Sequence, residues 1–225
     1  MERIGDIKRI VGKADACELL SCLFAFPDEN LAQGLVEGVL ADDAEACLHD
    51  AGADPSEAEK AASGLRAFAD APVHDVLSDL RRIYSRLYLA PGKSTPIFPY
   101  ESAFLHVQRG LPGAPALFRT PITLDVERQM HEAGVAAKDE RKEPCDSVFE
   151  EFEFLSYLYA KRAQSLAEND AEAEAKWGAR IAAFECEHVL AWLPAFMERT
   201  RQLAAGTPYE AFAAVALCLL KAIAR

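Results

Sequence analysis

The chain predicts an all-α fold, a single globular domain of about ten helices, on three observations. Alanine, leucine and glutamate dominate its 225 residues, and runs of β-branched residues are nearly absent. Stretches with apolar residues at helical spacing are separated by helix punctuation. A chain of this length buries roughly 70% of its unfolded surface and needs no disulfide or metal staple.

Helices are expected over 14–26, 29–39, 42–49, 55–70 and 73–89, then over 101–108, 122–133, 147–167, 171–204 and 208–224. The first and last carry Cys17, Cys22 and Cys218 in apolar runs, where a free thiol behaves as a small hydrophobe. The fifth is patterned most clearly. Val76, Leu80, Ile83 and Leu87, with Tyr84 and Tyr88 offset by one, follow the spacing of one buried face, and Pro91-Gly92 stops it. The eighth opens on a capping-box pattern, Ser147 followed by Glu150. In the ninth, Pro194 withholds a backbone donor and clashes with the preceding turn, so a kink or break is expected there. The Gly/Pro-rich 110–121 stretch reads as a hinge between an N-terminal half, 1–110, and a C-terminal half, 122–225. It permits a swapped dimer as readily as a compact monomer.

The balance of 36 acidic against 24 basic residues gives a formal charge of -12. That opposes binding to phosphate backbones and anionic membranes and favours a basic partner, so no nucleic acid is expected. The six cysteines form no Cys-x-x-Cys pair and no Cys/His run, so reduced thiols and no metal centre are expected. No apolar run approaches the ~20 residues of a membrane span, and the first residues lack a signal-peptide pattern; a cytoplasmic protein is expected. Gly92-Lys93-Ser94 alone is too short to cradle phosphates.

Two segments point to recognition. After the fifth helix, Pro91, Pro96 and Pro99 hold the chain extended among Tyr84, Tyr88, Phe98 and Tyr100, either presenting aromatics to a groove or sealing a helix-loop corner. Between 143 and 153 stand five acids, Glu143, Asp146, Glu150, Glu151 and Glu153, and no base. From a helix start near Asp146, the residues Asp146, Glu150 and Glu153 share one face while Phe149, Phe152 and Leu155 point inward. Such a stripe suits arginines, whose planar fork matches a carboxylate; acids in a first turn also serve the helix dipole with no ligand at all. A third segment sets Phe184, His188 and Trp192 four apart, ahead of Pro194 and Phe196. Glu185 and His188 form a candidate metal or proton-transfer pair, though further ligands at matching spacing are lacking; a packing histidine satisfied by a neighbouring acid or carbonyl is the other reading.

Taken together, the Tyr-x-x-Leu-aromatic-x-x-Pro helix end at 84–91 with Pro-Tyr-Glu-Ser at 99–102, Glu-Pro-x-Asp at 143–146, and Phe-x-x-x-His-x-x-x-Trp-x-Pro-x-Phe at 184–196 resemble the TorD/DmsD/NarJ family of cytoplasmic chaperones for molybdenum-containing oxidoreductases. The resemblance implies an all-helical fold, no catalysis and no cofactor. It implies binding of a partner enzyme's twin-arginine signal peptide, with export withheld until assembly. The peptide-binding positions it implies are Tyr84, Leu87, Tyr88 and Pro91, then Pro99, Tyr100 and Glu101, and Asp146, with Glu143 and Glu150 as flanking acids. Phe184, His188, Trp192, Pro194 and Phe196 would be structural. The chain departs from the family pattern with Ala90 where Gly is frequent, Tyr100 where Trp is common, and Ser147 where His is frequent. A chaperone of the mature or remnant-signal catalytic subunit of a nitrate-reductase-like enzyme is the alternative within the family. A small metal-dependent enzyme using Glu185 and His188 is the alternative outside it.

Overall fold

The computed structural model describes residues 2–90, 95–136 and 143–224. Among them all regular secondary structure is helical apart from one isolated antiparallel bridge, Tyr100 to Ser147. The helices are α1 (Glu2–Phe24), α2 (Glu29–Val36), α3 (Val39–Asp50), α4 (Pro55–Arg66), α5 (Val73–Tyr88), α6 (Glu101–Gln108), α7 (Pro121–Glu132), α8 (Val148–Glu168), α9 (Ala171–Phe184), α10 (Leu190–Leu203) and α11 (Pro208–Ile223). A π-helical turn, Glu185–Val189, joins α9 to α10, so these two run as the single expected rod.

Local chemistry explains the boundaries. Asp28, Asp54, Thr120, Ser147 and Asp170 each accept a first-turn amide, and Pro55, Pro121 and Pro208 occupy first-turn positions where no amide is missed. Gly38, at φ 78°, ends α2 and opens α3 earlier than the pattern of apolar residues suggests. Pro194 does not break its helix. It lies inside α10, and the departure from α geometry falls upstream in the π turn, where the Leu190 amide reaches back to Glu185 O.

The largest difference from expectation is α1, which begins at Glu2 rather than near residue 14. Its first turns are solvent-facing, and Arg3 ties them to α8 by donating to Leu166 O at 2.6 Å. Beyond Ile10 the helix packs along α8 and against α3.

One apolar core takes residues from both sides of the 109–120 connection, which itself runs mostly exposed over the surface. Its centre is aromatic. Phe24 of α1, Tyr88 of α5, Phe196 of α10 and Tyr209 of α11 are buried, with Tyr88 stacked on Phe196 at 5.8 Å and Phe24 edge-on to Phe196 at 6.2 Å. Cys17 and Cys218 are buried as small hydrophobes, whereas Cys22 is exposed on the outer side of α1; no disulfide joins any of the six cysteines. No helix among the described residues is long and apolar enough to cross a membrane.

Candidate functional site

Two loops separated by more than forty residues meet ahead of α6 and α8. The Glu101 amide donates to Asp146 O at 2.8 Å and the Val148 amide to Pro99 O at 2.9 Å. The Ser102 amide donates to the Asp146 carboxylate at 2.9 Å. Pro99 is buried and uses only its carbonyl, so its missing N–H costs nothing. Asp146 is therefore not the first acid of an α8 stripe. It lies fully buried before the helix, capping the amino end of α6. Burial raises its carboxyl above the ordinary range, the Ser102 hydrogen bonds work against that rise, and the Glu101 charge adds to it. Asp146→Ala is expected to lower stability by about 1–3 kcal/mol by orphaning a buried amide, measured by urea denaturation.

Beneath this clasp lies a polar cluster. His188 Nδ1 is 2.7 Å from Glu101 Oε2, and its Nε2 is 3.1 Å from Asp125 Oδ2 on α7. Burial works to lower the imidazole's pKa, but hydrogen bonds and charge from Glu101 and Asp125 outweigh it and raise the value above the ordinary one. Glu151, fully buried on α8, accepts from Trp192 Nε1 at 2.8 Å. Burial, then the Glu101 charge, push its carboxyl well above the ordinary range. Gln129 donates to Asp125 and Glu187, closing the cluster toward solvent. Amino ends of α6 and α8 point at these acids, and the positive end of each helix dipole favours them there.

The acidic and aromatic side chains that reach the surface form a separate face. Tyr100, Glu143 and Glu150 are half-buried, Glu153 is exposed, and the Tyr100 hydroxyl bonds Glu143. Glu150 is pushed up to about 7 by burial first, then by the charges of Glu153 and Glu143. Burial likewise raises Glu143, with the Tyr100 hydroxyl opposing. Phe26, 54% exposed in the link between α1 and α2, lies edge-on to Tyr84 at 5.4 Å with the Arg81 guanidinium over its ring.

The structure thus separates the residues expected to share one groove. Leu87 and Tyr88 are core residues, and the Tyr88 hydroxyl lies 3.2 Å from Thr200 Oγ1. They seal the corner rather than present themselves to a groove, because the apolar face of α5 is the face that meets α10 and α11. Tyr84 is also buried, though Phe26 and the Glu143 charge lie against it. Glu101 is buried in the cluster with His188, and Pro91 lies outside the described residues. Among the described residues of the expected set, Tyr100, Glu143 and Glu150 are the ones that stand at the surface.

In the third segment Phe184 and His188 rings lie 5.2 Å apart, Trp192 and Phe196 5.1 Å apart, and Pro194 is half-buried beside them. Glu185 and His188 do not form a pair. Glu185 accepts a hydrogen bond from the Tyr159 hydroxyl on α8, while His188 faces α6 and α7. Among the described residues the histidine and carboxylate groups that converge closely enough for an ion are Glu101, Glu151 and His188, and Asp125, Glu187 and His188. Sequence reasoning missed Glu101 and Asp125 as the partners of this histidine, and Glu151 as the acid beside them. The available signal was Glu151 itself, an acid in register with buried Leu155 and Leu158 on one face of α8.

Neither a curated protein nor a solved structure matches the chain. The family model described as nitrate reductase delta subunit matches residues 51–198, which span α4 to the middle of α10 and contain all three segments singled out above. Members of that family are chaperones for the maturation of nitrate reductase, a molybdenum enzyme, in keeping with the resemblance the three segments carry. With the greater part of its length matched, the chain belongs to the nitrate reductase delta subunit family.

Proposed function

We propose that the chain holds an arginine-bearing N-terminal segment of its client's apo catalytic subunit on the face formed by Tyr100, Glu143, Glu150 and Glu153, in the cytoplasm and before export. The observation that carries this reading is a set of half-buried carboxylates crowded by like charge, with Glu150 pushed up to about 7, beside exposed aromatic surface at Phe26. Among the described residues this group has no ion-pair partner. An arginine fork satisfies two carboxylates at once, and Phe26 and Tyr100 supply contact area for the adjoining apolar residues. The match to a nitrate reductase family favours a nitrate-reductase-like subunit as client, so a remnant leader or the mature subunit is the second reading.

Calorimetric titration with a twin-arginine peptide and its double-lysine version, at two salt concentrations, tests the proposal. Arginine-dependent, salt-sensitive binding is expected. Glu143→Gln and Glu150→Gln should each weaken it about tenfold, as the loss of one charge-assisted contact of ~1.5 kcal/mol implies. Unchanged affinity in both variants would remove this face from the site. Equal binding of a peptide without arginines would transfer the role to the mature subunit.

A further inference from the structure

Glu101, Asp146 and Glu151 bring three carboxyl groups into the protein interior where α6, α8 and the π turn meet, and of the three Glu101 is the one that pairs with His188, at 2.7 Å. Such buried carboxyls are neutralised either by protons or by a bound cation, because desolvating each uncompensated ion costs several kcal/mol. The fully buried Glu151 Oε1 and Asp146 Oδ1 have no hydrogen-bond partner among the described residues. Ligand atoms of Glu101, Glu151 and His188 all lie within 4.8 Å of one another.

The surrounding contacts are those that orient metal ligands. Trp192 Nε1–H holds the other oxygen of Glu151 at 2.8 Å, so Oε1 is the atom left without a hydrogen-bond partner. Asp125 lies 3.1 Å from His188 Nε2, the carboxylate contact that would hold the proton on Nε2 once an ion displaced the proton shared between Nδ1 and Glu101, 2.7 Å apart. The wider π turn, a feature frequent at functional sites, carries the histidine.

We propose that Glu101, Glu151 and His188 bind a divalent first-row transition-metal ion of the Zn2+ or Mn2+ type, which ties the amino ends of α6 and α8 to the π turn. One imidazole with two carboxylates and no thiolate suits those ions. Asp146 lies beside the site as a further negative charge, and Asp125 and Trp192 are positioning residues.

The test uses the purified full chain, stripped with a chelator and titrated separately with zinc chloride and manganese chloride, with binding read by calorimetry and stability by thermal melting. One ion per chain is expected, with a melting temperature higher by about 5–10 °C when free metal exceeds Kd a hundredfold. Glu151→Gln, which keeps an acceptor for Trp192, should weaken binding at least about 100-fold, and Asp125→Asn by about 10–100-fold. Glu187→Gln, altering only the outer neighbour of His188, should leave it unchanged. Absence of saturable binding of either ion to folded, stripped protein would overturn the proposal. So would binding that survives Glu151→Gln and is lost in Glu187→Gln, which would assign the ion to the outer group. If Glu151→Gln fails to fold, X-ray absorption of the cobalt-loaded wild-type protein decides: one histidine nitrogen among oxygen ligands supports the site, and ligation without histidine removes it.

Discussion

Replacing Trp192 with alanine is expected to lower unfolding stability by about 4–6 kcal/mol, close to the whole stability of a marginal domain. The indole is fully buried against Phe104 and Phe196, so its loss leaves a cavity worth about 3–5 kcal/mol at the junction of α6 and α10. The same change removes the donor to Glu151, a carboxyl with no access to water. Trp192→Phe separates the two contributions, since it keeps most of the packing and deletes the N–H. A loss of about 1–3 kcal/mol is expected from it in urea denaturation followed by circular dichroism. Wild-type stability in the phenylalanine variant would show that the indole donor is unimportant to Glu151.

This dependence on a distant donor explains what could be read from the chain alone. Periodicity located the helical rods, because apolar spacing such as Val76, Leu80, Ile83 and Leu87 is local and α5 buries those residues. It failed at the beginning of α1, where Gly5 and Gly12 interrupt a charged stretch and the stabilising contacts come from α3 and α8. The site was less legible still. Asp146 reads as a first-turn acid, yet its backbone and side chain are claimed by residues near 101, 44 positions away from Ser102. His188 shows only its neighbour Glu185 in sequence, while its partners lie 87 and 63 positions away. No local pattern encodes such pairings. Glu150 remains at the surface beside its helix neighbour Glu153, whereas Glu143 too takes a partner from far along the chain, the Tyr100 hydroxyl.

The clasp also gives the three recognised segments a common physical purpose. Pro-Tyr-Glu-Ser supplies the amino end of α6, Glu-Pro-Cys-Asp supplies its cap, and the third segment supplies His188 and Trp192 beneath both. Buried members of these motifs hold two helix starts in place, and Tyr100, Glu143 and Glu150 ride on that support toward solvent. A lesion in the buried set therefore reaches the exposed face through position rather than contact. Asp146→Ala should weaken an arginine peptide without altering the salt slope, whereas Glu150→Gln should flatten the slope.

Gly12→Ala is expected to destabilise the fold by about 1–3 kcal/mol although alanine is the better helix former by ~1 kcal/mol. A Cβ at position 12 would stand 2.5 Å from Ala51 N and from the Asp50 carbonyl carbon. These are backbone atoms at the end of α3 and cannot rotate aside, so α1 would have to move off α3 and disturb its packing along α8. Gly5 lies on the same helix, and a Cβ there would meet nothing within 4 Å, so the identical substitution should stabilise by about 0.5–1 kcal/mol. Thermal melting of the two variants should shift in opposite directions, by about 2–4 °C per kcal/mol. Parallel shifts would mean that α1 and α3 do not approach at Gly12. Opposite shifts would establish that α1 begins well before residue 14 and that its contact with α3 is tight enough to exclude a single methyl group.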